Sequence, residues 1–219
     1  MIAGHPMVEH VYRRASAARL VSTVLVATDD PRIADAVDAF GGTAVMTRAD
    51  HASGTDRLAE VAEYLNCDVV VNVQGDEPLL DPASVDAAVA SCLDDPDVAI
   101  STLRTPLAEA DADNPHVVKV VINLKGDALY FTRNSVPFVR PGQPPVQAWR
   151  HLGLYVYRRA TLLALARLQP TPLEQAEGLE QLRALEHGLA IRTVATATTA
   201  PSVDTADDLA MVRELLNRA

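Results

Sequence analysis

Residues 68–78 read Asp-Val-Val-Val-Asn-Val-Gln-Gly-Asp-Glu-Pro, a β-branched run that stops at a glycine and two carboxylates. A strand covered on both faces loses the polar alternation of a half-exposed one, so this run is expected to be the most buried strand of a sheet with helices over it. The flanking sequence repeats the theme. A strand at 24–28 precedes a helix whose Ile33, Val37 and Phe40 share one face. A strand at 43–47 precedes a helix that carries Leu58, Val61, Ala62 and Leu65 inward. Asp81-Pro82 then opens a helix ahead of a strand at 98–103. This alternation predicts an α/β fold with a doubly wound, mostly parallel sheet. Between 117 and 131 two extended runs are joined by Lys125-Gly126-Asp127, a hairpin connection, so the sheet is expected to be mixed. A strand at 152–157, helices at 161–167 and 173–187, a strand at 190–195 and a last helix opening near Asp204 complete the pattern.

The 219 residues suit a single domain spanning 1–219. No apolar run reaches the roughly 18 residues that a membrane span needs, and no basic stretch followed by a hydrophobic run marks a leader. Cys67 and Cys92 are the only cysteines and lack metal-type spacing, which fits a cytoplasmic setting. A net charge of -10 excludes general electrostatic binding of nucleic acid. An anionic small ligand would need local help from a metal ion or a few arginines.

Open α/β sheets place ligands beyond the carboxyl ends of their strands, and Gln74-Gly75-Asp76-Glu77-Pro78 occupies that position. Asp76 there either shapes an ordinary turn or holds a magnesium ion, which asks for only one or two protein carboxylates. Asp204, ahead of the last helix, reads by itself as an N-cap and gains a metal role only if paired with a second carboxylate. His51-Ala52-Ser53-Gly54-Thr55-Asp56-Arg57 feeds a helix N-terminus, where exposed N–H groups receive polar ligands. Arg57 on the first turn faces the positive end of the helix dipole and so calls for an acceptor. Arg150-His151-Leu152-Gly153-Leu154-Tyr155 opens a strand. Glu174, Glu177, Glu180 and Gln181 read as the solvated face of one amphipathic helix.

Seven segments in order resemble the 3-deoxy-manno-octulosonate (Kdo) cytidylyltransferases: TRADHASGTDRLAE, VVNVQGDEPLL, NPHVVKVV, ALYFTRNSVPF, RHLGLYVYRR, PLEQAEGLEQLRALEHG and SVDTADDLAMVR. The resemblance covers nearly the entire chain. It implies a nucleotide-diphospho-sugar transferase-like fold and the reaction of CTP with Kdo to CMP-Kdo and pyrophosphate, a step toward lipopolysaccharide. It implies that Asp76 and Asp204 bind Mg2+, that Ser53, Gly54, Thr55 and Arg57 meet the cytidine part of CTP, and that Gln74, His151, Tyr155, Glu180 and Gln181 surround the sugar acid. It also implies a homodimer built around residues 117–150, with no nucleic acid partner and no membrane insertion. One departure stands out. Met1-Ile2-Ala3-Gly4-His5-Pro6-Met7 is similar to the stretch that follows the family's first strand and phosphate-binding loop, so the chain is expected to start about 25 residues late on the family pattern. On that expectation a noncatalytic sugar-acid-binding dimer or pseudoenzyme stands beside the main reading, and so, independently of the start, does a cytidylyltransferase for a related sugar acid such as 8-amino-Kdo.

Overall fold

The computed structural model describes residues 1–51, 53–197, 201–203 and 205–217. The chain divides into two compact units. The first comprises residues 1–68, 72–87 and 199–219, and the second 69–71 and 88–198.

The first unit opens with α1 (Met7–Ser16), which buries Val11 and Ala15. A βαβ turn follows: β1 (Val26–Thr28), α2 (Pro31–Ala39) and β2 (Ala44–Met46), with β1 and β2 paired in parallel. Helix α2 follows β1, as the sequence predicts, and its first turn is capped. Asp30 accepts the Arg32 N–H at 2.9 Å, and Pro31 supplies the preset φ of a first helical residue. The helix is followed by Gly41, whose φ of +80° favours glycine. Next comes α3 (Gly54–Ala62), capped by Ser53. β3 (Val69–Asn72) ends in this unit at Asn72, α4 (Pro82–Asp94) begins in it, and the last helix, Ala206–Asn217, belongs to it.

The second unit holds the larger sheet. Its strands are β4 (Ile100–Pro106), β5 (Lys119–Ile122), β6 (Ala128–Thr132), β7 (Trp149–Arg158) and β8 (Arg192–Ala195), in the order β6-β5-β7-β4-β8, with β3 also on β7. β4–β7, β5–β6 and β5–β7 are antiparallel and β4–β8 is parallel. The sheet is therefore mixed, as the hairpin at Lys125-Gly126-Asp127 predicts; Gly126 takes φ +86° in that turn. Helices α5 (Arg159–Leu165), α6 (Pro172–Glu177) and α7 (Gln181–Glu186) complete the unit, and the C-terminal helix is α8. The largest fully buried side chain here is Lys119, whose ammonium donates to the carbonyls of Asn114 at 2.7 Å and Arg133 at 2.8 Å. Among the described residues no helix is long and apolar enough to cross a membrane.

Two expectations need correction. Val69, Val70 and Val71 are only half-buried, and Asn72 is the buried residue of β3. Among the described residues this strand pairs with β7, and a strand paired along one edge is not enclosed as a central one is. The single helix expected at 173–187 is two, because Gly178 adopts the left-handed conformation (φ 61°, ψ 43°) that ends α6. Leu179 and Leu182 are buried, but the acidic face is not solvated. Glu174 lies 9% exposed and receives both arms of the Arg183 guanidinium, at 2.5 and 2.8 Å, which fastens α6 to α7.

Burial raises the Glu174 pKa, but the hydrogen bonds from Arg183 and the Thr171 N–H outweigh it and hold the carboxyl below its ordinary value. Its contribution to stability is complete above the unfolded value of about 4.3 and is lost as pH falls through the lower folded one. Arg183→Met should lower the unfolding free energy by about 3–5 kcal/mol at neutral pH, since it strands a buried carboxylate. In urea titrations the variant should also lose less further stability below pH 4 than the parent chain.

Candidate active site

In the first unit the segment after β3 forms the Gln74–Pro78 turn. The Gln74 amide donates to the buried Asn72 side chain at 3.0 Å, and the Glu77 N–H donates to the Gln74 carbonyl at 3.3 Å. Asp76 is half-buried, and its carbonyl accepts the Val203 N–H at 2.9 Å. The strand-end turn is thereby tied to the segment entering α8. Asp204 itself lies outside the described residues. A side chain at Gly75 would meet no atom within 4 Å, so the turn presents open backbone there.

The N-terminus of α3 is held from two sides. Ser53 accepts the Asp56 N–H at 3.2 Å, Gly54 is exposed and Thr55 is buried. Arg57 finds its acceptors within the chain: Asp29 just past β1 at 3.1 Å and Thr47 just past β2 at 2.5 Å. One turn further along α3, Glu60 bonds the His51 ring and accepts the Arg48 N–H at 3.3 Å. Sequence reasoning passed over Glu60, because nothing in a lone glutamate on a helix face signals a loop folded back onto it. The two tethers fix the loop that presents Ser53 and Gly54.

In the second unit His151, Tyr155 and Glu180 come together. Between Thr102 and Leu103 the β4–β7 register jumps from Tyr155 to Leu152, so β7 carries two extra residues, Gly153 and Leu154, in a bulge. Four residues of regular strand span about 13 Å. The His151 and Tyr155 rings nevertheless stand 5.3 Å apart between centroids, with Phe131 edge-on to His151 at 5.0 Å. Burial, followed by the charge of Arg150, lowers the His151 pKa to about 3, so the imidazole is neutral. Burial, followed by the nearby Tyr157 and Glu180, raises the Tyr155 phenol well above its ordinary value and keeps it protonated. Its buried hydroxyl has no hydrogen-bond partner among the described residues.

Glu180 and half-buried Gln181 sit at the start of α7. Their position is set three residues earlier. The Glu177 carboxylate accepts the Thr132 hydroxyl at 2.7 Å and the Arg133 N–H at 3.0 Å, while the Arg133 side chain donates to the Glu177 carbonyl at 2.8 Å. Glu177, read in sequence as part of a solvated face, instead pins the end of α6 to β6.

A family model described as cytidylyltransferase matches residues 1–191. The 3-deoxy-manno-octulosonate cytidylyltransferase of Myxococcus xanthus is 53% identical, with 99% of this chain and 88% of the relative covered. That of Geobacter metallireducens is 50% identical over 99% of this chain and 90% of its own length. The chain belongs to the 3-deoxy-manno-octulosonate cytidylyltransferase family. A solved CMP:2-keto-3-deoxy-manno-octonic acid synthetase, complexed with CTP, superposes on this family member with a TM-score of 0.96 at 45% identity, covering 100% of this chain and 90% of that one. A 4-diphosphocytidyl-2C-methyl-D-erythritol synthase from Anaerococcus prevotii, 11% identical, shares the fold with a TM-score of 0.65 over 100% of this chain and 92% of its own. The mixed α/β architecture is thus that of the nucleotidyltransferases.

For this cytidylyltransferase the neutral His151 gives a direct expectation. Its folded pKa of about 3 lies below the ordinary 6.5, so its contribution to stability is complete above pH 6.5 and is lost as pH falls toward 3. Histidine NMR should show no titration of the His151 ring between pH 5 and 8. A midpoint inside that window would contradict the burial described here.

Proposed function

We propose that this chain forms CMP-Kdo and pyrophosphate from CTP and Kdo. The observation that carries the reading is the likeness, over 100% of the chain at 45% identity, to a synthetase of that product solved with CTP. In the reaction the anomeric hydroxyl of Kdo releases its proton to water as its oxygen bonds to the α-phosphorus, the bond from that phosphorus to the bridging oxygen of the β-phosphate breaks, and pyrophosphate leaves with the electron pair. Ser53, Gly54 and Thr55, at the tethered N-terminus of α3, meet the nucleotide, with Arg57 braced behind them on Asp29. Gln74, His151, Tyr155, Glu180 and Gln181 take the sugar acid. In the second unit a neutral imidazole, a protonated phenol, an amide and a carboxylate suit a polyhydroxylated ligand.

Asp76 and Asp204 are the carboxylates assigned to Mg2+. The donor chemistry fits, because magnesium keeps most of its shell for water and phosphate oxygens and needs only one or two protein carboxylates. The hydrogen bond between Val203 and Asp76 supports pairing the two segments. When bound, the ion would neutralise the triphosphate and polarise the attacked phosphorus. The chain's own part is to orient the two substrates and exclude competing water.

We assign the chain to the cytoplasm, which suits its free Cys67 and Cys92. A homodimer is the proposed assembly. Leu129, Phe138 and Val146 are 59%, 85% and 61% exposed within the 117–150 region, and a second copy would cover them.

The catalytic reading is tested by pyrophosphate release from CTP and Mg2+ with and without Kdo. Release should require Kdo, and Asp76→Asn should reduce kcat at least about 100-fold without lowering the melting temperature. Kdo binding without release would favour the noncatalytic reading, and preference for 8-amino-Kdo would reassign the sugar. Light scattering should give a dimeric mass for the parent chain and a monomeric one for Phe138→Asp.

A further inference from the structure

The geometry points to Thr102 as the residue that fixes the tautomer of His151, leaving Nδ1 as a hydrogen-bond acceptor for a hydroxyl of the sugar acid. The second half rests on the substrate proposed above. Thr102 is fully buried in β4, and its Oγ1 lies 2.7 Å from the Leu154 carbonyl, 3.3 Å from the Leu152 carbonyl and 2.9 Å from His151 Nε2. A threonine hydroxyl has one proton to give, and a carbonyl oxygen only accepts. A separation of 2.7 Å is that of a formed O–H···O bond, so the proton goes to the bulge carbonyl of Leu154. Oγ1 is then an acceptor toward the imidazole, and Nε2 must carry the ring proton. The ring is neutral, so it has only that one N–H, and Nδ1 keeps its lone pair.

Nothing among the described residues donates to Nδ1, and His151 retains 9% of its surface, enough for a ligand to reach it. The unpaired Tyr155 hydroxyl belongs to the same cluster. A lone pair facing a carboxylate repels it, whereas a hydroxyl donates to it. His151 therefore reads one of the sugar's hydroxyls, and the carboxylate of the sugar acid is held by other residues. Thr102 acts through His151 and is a positioning residue.

The test uses the full chain labelled with 15N-histidine, with His151→Asn to assign the signal. Long-range 15N–1H correlation of the ligand-free protein should show the Nε2–H form, and added Kdo should move the Nδ1 resonance upfield. Thr102→Val should mix or reverse the tautomer and raise KM for Kdo about tenfold with kcat within about twofold, while Thr102→Ser restores both. An Nδ1–H form in the ligand-free parent chain would overturn the assignment. Calorimetric binding of Kdo with an unmoved Nδ1 signal would overturn the hydroxyl contact and leave the proposed substrate standing. Should Kdo fail to bind, the proposed substrate falls together with the hydroxyl contact, and the tautomer is still decided by the ligand-free spectrum. If the valine variant does not fold, the parent spectra and the serine variant carry the same decision.

Discussion

Strand β7 constrains everything around it in the second unit. Its ten residues pair with β4 along seven registered positions, with β5 at Arg150 and Trp149, and with β3. A strand so fully paired cannot slip, because a one-residue shift would turn its buried face outward. It can still absorb Gly153 and Leu154 as a bulge, since the Leu154 carbonyl, freed from the ladder, finds a donor in the Thr102 hydroxyl. The bulge is what draws His151 and Tyr155 together and gives the strand its chemistry.

The same economy governs the buried charges. Lys119 is enclosed only because two carbonyls receive its ammonium, and Glu174 only because Arg183 answers it with two hydrogen bonds. Each arrangement also positions something else. The Lys119 clamp joins Asn114, ahead of β5, to Arg133, past β6. The ion pair sets α6 against α7, and the Glu177 contacts fix the turn from which Glu180 and Gln181 project. In the first unit Arg57 and Glu60 do the equivalent for the loop before α3. Polar groups that would be costly alone are paired in ways that hold the site residues in place.

Much of this was legible in the residues. The apolar periods gave the helices and strands, Asp81-Pro82 and the segment around Ser53 marked helix starts, and Lys125-Gly126-Asp127 marked the hairpin that mixes the sheet. The ordered motifs gave the family, and three residues that the resemblance had named, His151, Tyr155 and Glu180, lie near one another in the second unit. Two misreadings share a cause. The half-buried β3 and the broken helix at Gly178 both depend on which neighbours a segment finds, and a local pattern does not report neighbours. Thr102 left only a faint mark, a Ser-Thr pair inside an apolar strand, because a buried hydroxyl looks in sequence like any other strand threonine.

By itself, then, the sequence determined the α/β class, the family, and the residue types available to meet a nucleotide and a sugar acid, because periodicity and ordered motifs are properties of the chain alone. Tertiary structure decided how those residues are used. The register of β4 against β7 sets which atom of Thr102 faces which nitrogen of His151. The fold of the α3 loop sets whether Arg57 meets a ligand or Asp29. Those outcomes turn on separations of about 3 Å between residues tens of positions apart, and such distances exist only once the chain has closed on itself.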